Sequence, residues 1–139
     1  MAAFNKFNAF VADIANKVHN LGSDTLKVML TNTLPVAANA VKADITEIAN
    51  GNGYVAGGLS VTGITSAQTS GTYKLVSSAD PVLTASGSVG PFRYAVIYNS
   101  TAASGNLIGW WDYSSAVTLA SGETFTVDLD QTNGILQLN

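Results

Sequence analysis

The residues that could carry acid–base or metal chemistry are few in this chain. His19 is the single histidine and cysteine is absent, which excludes thiol nucleophiles and zinc–thiolate sites. Asp44 and Glu47 are two carboxylates three positions apart, but acid–base catalysis needs such a pair to converge in a cleft, which spacing alone does not show. A histidine capping a helix C-terminus and a glutamate bonded to the following turn are the more typical uses. We therefore predict no catalytic residue, no metal site and no cofactor.

Residues 128–134 carry oxygen-bearing side chains at the spacing with which a calcium loop begins. Asn133 stands where an EF-hand loop has its glycine, and Asn139 stands where it has its glutamate. The pair Asn133-Gly134 is a strong turn signal, because both residues tolerate a positive φ. The sequence therefore favours a β-hairpin here, with its second strand at residues 134–138, over a cation site.

The large aromatic side chains concentrate in residues 92–113, which include both tryptophans and three of the five tyrosines. Successive strand residues point to opposite faces of a sheet, so Trp110 and Trp111 must lie on opposite sides. One tryptophan is predicted to lie in the core, and the other under N-terminal residues or another subunit. A sugar- or partner-binding surface that also includes Tyr94 and Tyr98 is the alternative.

An amphipathic α-helix is predicted over residues 3–20. Its apolar residues recur at spacings of three and four and form one stripe: Phe4, Phe7, Phe10, Val11, Ile14, Val18 and Leu21. This stripe must be covered either by the same chain or by a neighbouring subunit.

The rest of the chain consists of short predicted strands separated by Gly, Ser and Asn. We place them at 25–31, 59–65, 72–77, 81–85, 92–99, 106–113, 116–119, 123–129 and 134–138. Such spacing is typical of an antiparallel sandwich or jelly-roll-like barrel. The predicted fold is thus all-β, preceded by one N-terminal helix, in a single domain over 1–139 with the helix in 1–22 and the β domain in 23–139.

Charged residues make up 11% of the chain, against about 25% in an ordinary soluble domain. Small polar and apolar residues take their place, which a protein packed into an assembly tolerates. The net charge is −3 and the six Lys and Arg form no basic stripe, so no nucleic-acid partner is predicted. The apolar runs are too short to span a bilayer and no signal peptide is evident, so we expect no membrane partner and a protein that stays on the side of the membrane where it is made.

Several stretches resemble small virion proteins of tailed bacteriophages, in a resemblance that runs from Phe4 to Leu138. They are Thr25-Leu26-Lys27-Val28-Met29-Leu30-Thr31-Asn32-Thr33, Ala43-Asp44-Ile45-Thr46-Glu47-Ile48, Gly53-Tyr54, Phe92-Arg93-Tyr94-Ala95-Val96-Ile97-Tyr98 and Leu107-Ile108-Gly109-Trp110-Trp111. The resemblance implies a virion structural protein with an antiparallel β domain and supplies no active-site residues. A capsid decoration (cement) protein is the best fit, and a tail or fibre component stays open.

The main hypothesis is therefore a head decoration protein that binds the major capsid protein and forms a homo-oligomer, with a trimer favoured. The residues predicted to supply contacts with partner or subunit are Phe4, Phe7, Phe10, Val11, Ile14, Tyr94, Tyr98, Trp110 and Trp111. A tail- or fibre-associated receptor- or glycan-binding module is the second hypothesis, and a cell-wall hydrolase is the third.

Overall fold

The computed structural model describes residues 2–139, which contain ten β-strands and one short α-helix. The elements are β1 (Phe4–Lys6), α1 (Ala9–Ala15), β2 (Leu26–Thr31), β3 (Leu59–Ser60), β4 (Thr65–Thr69), β5 (Thr72–Val76), β6 (Val82–Thr84), β7 (Val89–Asn99), β8 (Leu107–Leu119), β9 (Thr124–Thr126) and β10 (Leu136–Leu138). A single turn of 3-10 helix, Lys42–Asp44, lies in the long connection from β2 to β3.

The strands form three antiparallel sheets. The largest has five strands in the order β1-β8-β7-β2-β3, the second has the order β10-β5-β4, and the third pairs β6 with β9. Side chains from the two smaller sheets pack with one face of the large sheet in a common core. The predicted all-β, sandwich-like fold is confirmed.

The main core lies between the large sheet and the two smaller ones. The large sheet contributes alternate residues of its strands, and the smaller sheets contribute buried aliphatic side chains. Its members include Val28, Leu30, Ile97, Ile108 and Trp111 from the large sheet, and Leu75, Leu83, Val127 and Leu136 from the smaller sheets or the residues next to them.

A second, smaller core lies on the opposite face of the large sheet, because the intervening residues of the same strands are also apolar. It consists of Met29, Val96, Tyr98 and Leu107 from the sheet, with Phe7 and Ile45 from the segments that cross it. Trp110 packs against this second core, whereas Trp111 belongs to the main core. The prediction that the two tryptophans face opposite sides is confirmed.

The N-terminal helix is much shorter than predicted, because its first residues form a strand. Helix α1 covers Ala9–Ala15 and not residues 3–20. Strand β1 pairs with β8, so that Phe4 lies opposite Trp111. Gly109 permits this pairing, because a Cβ atom there would lie 2.3 Å from the Phe4 ring. At the other end, Lys17 has a φ of 63°, in the left-handed region where a right-handed helix cannot continue.

Three predicted strand boundaries are wrong. The strand predicted at 59–65 is divided into β3 and β4 by four irregular residues, and those predicted at 106–113 and 116–119 are one continuous strand, β8. The predicted hairpin around Gly134 does not form, because β10 pairs with β5 and not with β9. Leu136 lies opposite Leu75 and shares the main core with it, which explains the non-local pairing.

The two tryptophans provide a matched test of the two cores. Trp111 is 4% exposed and meets the Phe4 ring edge-on at 5.4 Å between centroids. We expect Trp111→Ala to lower the free energy of unfolding by about 3–5 kcal/mol. Trp110 is only half-buried, so Trp110→Ala should cost about half as much, since the loss scales with the apolar area removed from water. Urea unfolding measures both, and an equal loss would contradict this assignment.

Candidate functional site

The nine residues predicted to contact a partner differ widely in exposure. Those buried within the chain itself are Phe7, Phe10, Tyr94, Tyr98 and Trp111. Half-buried are Phe4, Ile14 and Trp110, and Val11 is 55% exposed. The chain therefore covers most of its own apolar stripe and aromatic strands. Of the nine, Val11 presents the largest fraction of its surface to solvent.

Trp110 is covered on one side by the chain itself. The Phe7 ring lies against it at 4.5 Å between centroids. The Phe7 amide donates to Ile108 O at 3.2 Å, and the Asn8 amide donates to Ala37 O at 2.8 Å. These bonds fix the segment between β1 and α1 across the second core.

Exposed apolar residues lie on α1 and on the loop that is bonded to its start. Leu34 and Val36 are 62% and 49% exposed, and they flank the buried Pro35 in the loop after β2. The bond from Asn8 to Ala37 joins this loop to the start of α1, whose first turn includes Val11. We call Val11, Leu34 and Val36 the apolar loop surface. Sequence reasoning missed its loop residues, although two aliphatic residues around a proline in a polar loop were an available signal.

His19 belongs to a buried polar network and not to a helix terminus. Helix α1 ends at Ala15, so the predicted capping by His19 is wrong. Instead, Asn99 Nδ2 donates to Asp24 Oδ2 at 2.6 Å and lies 3.1 Å from His19 Nδ1. The other ring nitrogen, Nε2, is 3.8 Å from Asp13 Oδ2, which is too long for a hydrogen bond.

Burial dominates the protonation of His19. Desolvation lowers the pKa of its imidazole, while the charges of Asp13 and Asp24 raise it by less. The ring also lies 5.4 Å from the Phe10 ring, between centroids. His19 is thus a neutral acceptor that connects the segment after α1 to the end of β7, and its side chain is closed to solvent.

Glu47 connects three segments through its two carboxylate oxygens. Its Oε1 accepts from Tyr54 Oη at 2.6 Å and from the Gly57 amide at 2.7 Å, and its Oε2 accepts from Lys42 Nζ at 2.8 Å. Tyr54 Oη in turn accepts from the buried Leu30 amide at 3.0 Å. Burial, followed by the bond to Glu47, raises the pKa of Tyr54. Glu47 thus bonds the Gly57 amide, in the turn at 55–58, and not the nearer turn at 50–53 that follows it in the sequence.

Asp44, the other member of the candidate acid–base pair, is used locally. Its Oδ2 accepts from the amides of Ala40 and Val41 at 2.8 and 3.1 Å, which lowers the pKa of Asp44. Glu47 has a different set of donors, so the two carboxylates do not share a proton donor or a cleft residue.

The candidate calcium segment is likewise engaged with its own backbone. Asp130 accepts from the amides of Thr132 and Asn133 at 3.1 and 2.8 Å and from the Asn133 side chain at 2.8 Å. These bonds lower the pKa of Asp130. Among residues 2–139, no three histidine, aspartate or glutamate side chains lie together in a way that could bind a metal ion.

Three clefts open on the surface of the described residues, and none has both a carboxylate and a histidine or lysine in its lining. One, of about 520 Å³, lies between the segment after α1 and the small β10-β5-β4 sheet, and is lined by Lys17, Leu21, Tyr73 and Leu138 among others. The second, of about 490 Å³, is lined by Lys42, Tyr98 and the loop before β8. The third, of about 280 Å³, is lined by Phe4, Trp111, Asp128 and Asp130 among others.

Neither a membrane-spanning helix in the described residues nor a similar known protein indicates the function. Within the described residues, no helix has the length and apolarity needed to cross a membrane. Comparisons with known protein families, with curated proteins and with solved structures found no match. The function has to be inferred from the surface of this chain.

The buried His19 predicts a pH-dependent stability. The folded-state pKa is lowered from 6.5, so between that value and the folded pKa the unfolded chain binds more protons. The free energy of unfolding should therefore fall as the pH is lowered through this window. Urea unfolding between about pH 7.5 and pH 5.5 measures it. His19→Gln keeps an acceptor for Asn99 without titrating, so its slope should be smaller, and an unchanged slope would refute the assignment.

The Tyr54 hydroxyl is predicted to stabilise the fold. Tyr54→Phe removes the acceptor of the buried Leu30 amide and a donor to Glu47, so we expect the free energy of unfolding to drop by about 1–3 kcal/mol. Tyr73→Phe, at a half-buried tyrosine outside this network, is the control and should change stability little. Equal effects of the two substitutions in chemical denaturation would contradict the role of the network.

Proposed function

We propose that this chain is a structural protein of a bacteriophage virion, a head decoration protein that binds the outside of the assembled capsid and stabilises it without catalysis. The observation that carries this proposal is the apolar loop surface, which stays open while the large aromatic side chains are buried or half-buried. The major capsid protein is the proposed partner, and a homo-oligomer, with a trimer favoured, is the proposed form on the shell. Its proposed location is the virion, after synthesis in the host cytoplasm.

The apolar loop surface is held in place before any partner binds. Pro35 is buried between the two exposed aliphatic residues, and the Val36 amide donates to Asn39 Oδ1 at 2.9 Å. The Asn8–Ala37 bond fixes the loop against the start of α1. A preorganised surface loses little conformational entropy on binding, so more of the contact energy appears as affinity.

The internal use of the polar side chains supports binding without chemistry. His19, Asp44, Glu47 and Asp130 are each engaged in hydrogen bonds within the chain. A decoration protein needs no reactive group, because each bound copy stabilises the shell by its own binding free energy.

A glycan-binding module of the tail or fibre is less well supported. Sugar recognition by stacking needs aromatic ring faces that are open to solvent. Every tryptophan and tyrosine in residues 2–139 is buried or half-buried. The aliphatic character of the apolar loop surface suits a protein partner better than a sugar.

Two valines of equal exposure test the proposed surface. Val36 and Val82 are 49% and 52% exposed, but Val82 lies in β6, outside the apolar loop surface. We expect Val36→Asp to weaken cosedimentation with capsid shells lacking this chain by at least about tenfold in Kd, because a carboxylate would lose its water in the contact. Val82→Asp should bind like the unsubstituted chain.

Far-UV circular dichroism should show that both variants are folded. Failure of the folded, unsubstituted chain to bind such shells would refute the decoration role. Equal weakening by both substitutions would refute the surface but not the role.

A further inference from the structure

We propose that the outer edge of β4 pairs with β4 of a second copy of this chain, in an antiparallel arrangement centred on Ala67. Strand β4 lies at the end of the β10-β5-β4 sheet, so one of its edges has no neighbouring strand. All five of its residues are exposed. This contact does not depend on the decoration role.

The hairpin geometry identifies which backbone groups are free. Ser70 and Gly71 form the two-residue turn from β4 to β5, with φ values of 50° and 87°, as in a type I′ turn. Such a turn is closed by a hydrogen-bonded pair, here Thr69 and Thr72, and the bonded pairs then alternate. The N–H and C=O groups of Ser66 and Gln68 therefore point away from β5, toward the open edge.

The free groups match those of a second β4 when the two strands are related by a two-fold axis at Ala67. Ser66 of one copy then lies opposite Gln68 of the other, and each of these two pairs exchanges two hydrogen bonds. The register thus satisfies all four free groups of each strand. Ala67 faces its own symmetry mate in a non-hydrogen-bonded pair, where Cα atoms approach to about 4.5 Å and a small side chain fits.

The side chains of β4 are also self-complementary. The sequence Thr65-Ser66-Ala67-Gln68-Thr69 places Thr65 of one copy opposite Thr69 of the other. Cross-strand threonine pairs are favourable in antiparallel sheets. The strand has no charged residue, so the pairing opposes no like charges.

The other sheet edges lack these properties. Among the described strands that end a sheet, β4 with five residues is the longest, and β1, β3, β6, β9 and β10 have two or three. Proteins usually protect a long edge with lysine, proline or a bulge. Strand β4 contains neither residue, and its register with β5 is regular over its whole length.

A contact between two five-residue strands buries little surface, so the dimer is expected to be weak and reversible. Sedimentation of the purified chain between about 10 µM and about 1 mM should show a monomer–dimer equilibrium. Ala67→Lys places two ammonium groups face to face and should raise the dimer Kd at least about tenfold, and Ala67→Glu should do the same. An equimolar mixture of these two variants should recover the dimer, because the charges opposed across the axis now attract.

A disulfide provides an independent measurement, since the chain has no cysteine. Ala67→Cys should form a covalent dimer under mild oxidation, because the two Cα atoms lie within disulfide distance across the axis. Ser104→Cys, at an exposed loop position, is the control and should cross-link far more slowly.

Three results would overturn the pairing: a chain that stays monomeric to about 1 mM, an oligomer that Ala67→Lys leaves unchanged, or equal cross-linking of the two cysteine variants. If the chain is monomeric but Ala67→Lys weakens its binding to capsid shells, the edge serves a strand of the capsid protein, and the second-copy proposal is wrong. Failure of the decoration role, in contrast, would leave the self-association intact.

Discussion

Residues 94–98 of β7 and 107–111 of β8 are apolar on both faces of the sheet, and the rest of the structure follows from the need to cover both faces. Successive residues of β7, such as Ile97 and Tyr98, enter different cores. The two smaller sheets cover one face, and the segments around Phe7 and Ile45 cover the other. A single small domain thus contains two separate apolar interiors, one large and closed, one small and partly open.

The partly open core and the apolar loop surface are continuous through one short stretch of backbone. Phe7 contacts Trp110, and the next residue, Asn8, bonds the loop that presents Leu34 and Val36. In the proposed role, the capsid protein would therefore cover the apolar side chains that the chain itself leaves exposed. The low content of charged residues agrees with a surface of which one part contacts the chain itself and another part contacts a partner.

The sequence predicted correctly those features that depend on neighbouring residues. The opposite orientation of Trp110 and Trp111 follows from strand alternation. The predicted extent of the helix was wrong, because Phe4 and Phe7 fit the apolar stripe of a helix as well as they fit the strand and the crossing segment in which they lie. Their positions are set by β8, because one edge of β8 would have no neighbouring strand without β1. No local sequence pattern reveals this pairing.

The wrong hairpin and the missed loop surface have the same physical origin. Asn133-Gly134 is a turn, but Leu136 pairs with the distant Leu75 because both are needed in the main core. Leu34 and Val36 stand out in the sequence only as two aliphatic residues around a proline. Their exposure goes with the burial of Pro35 between them, which is set by packing against distant residues.

The pairing of β1 with β8 has a consequence for how the chain is made. Asn5 and Trp110 are 105 positions apart and bonded to each other. During synthesis, the β1 segment leaves the ribosome long before its partner strand exists, so it must wait without its sheet neighbour while most of the chain is added. Closing so long a loop is slow, because its entropy is lost before the contacts repay it. The β1 segment is thus made before β8 and docks only after it, and the second core is completed once β8 has been synthesised.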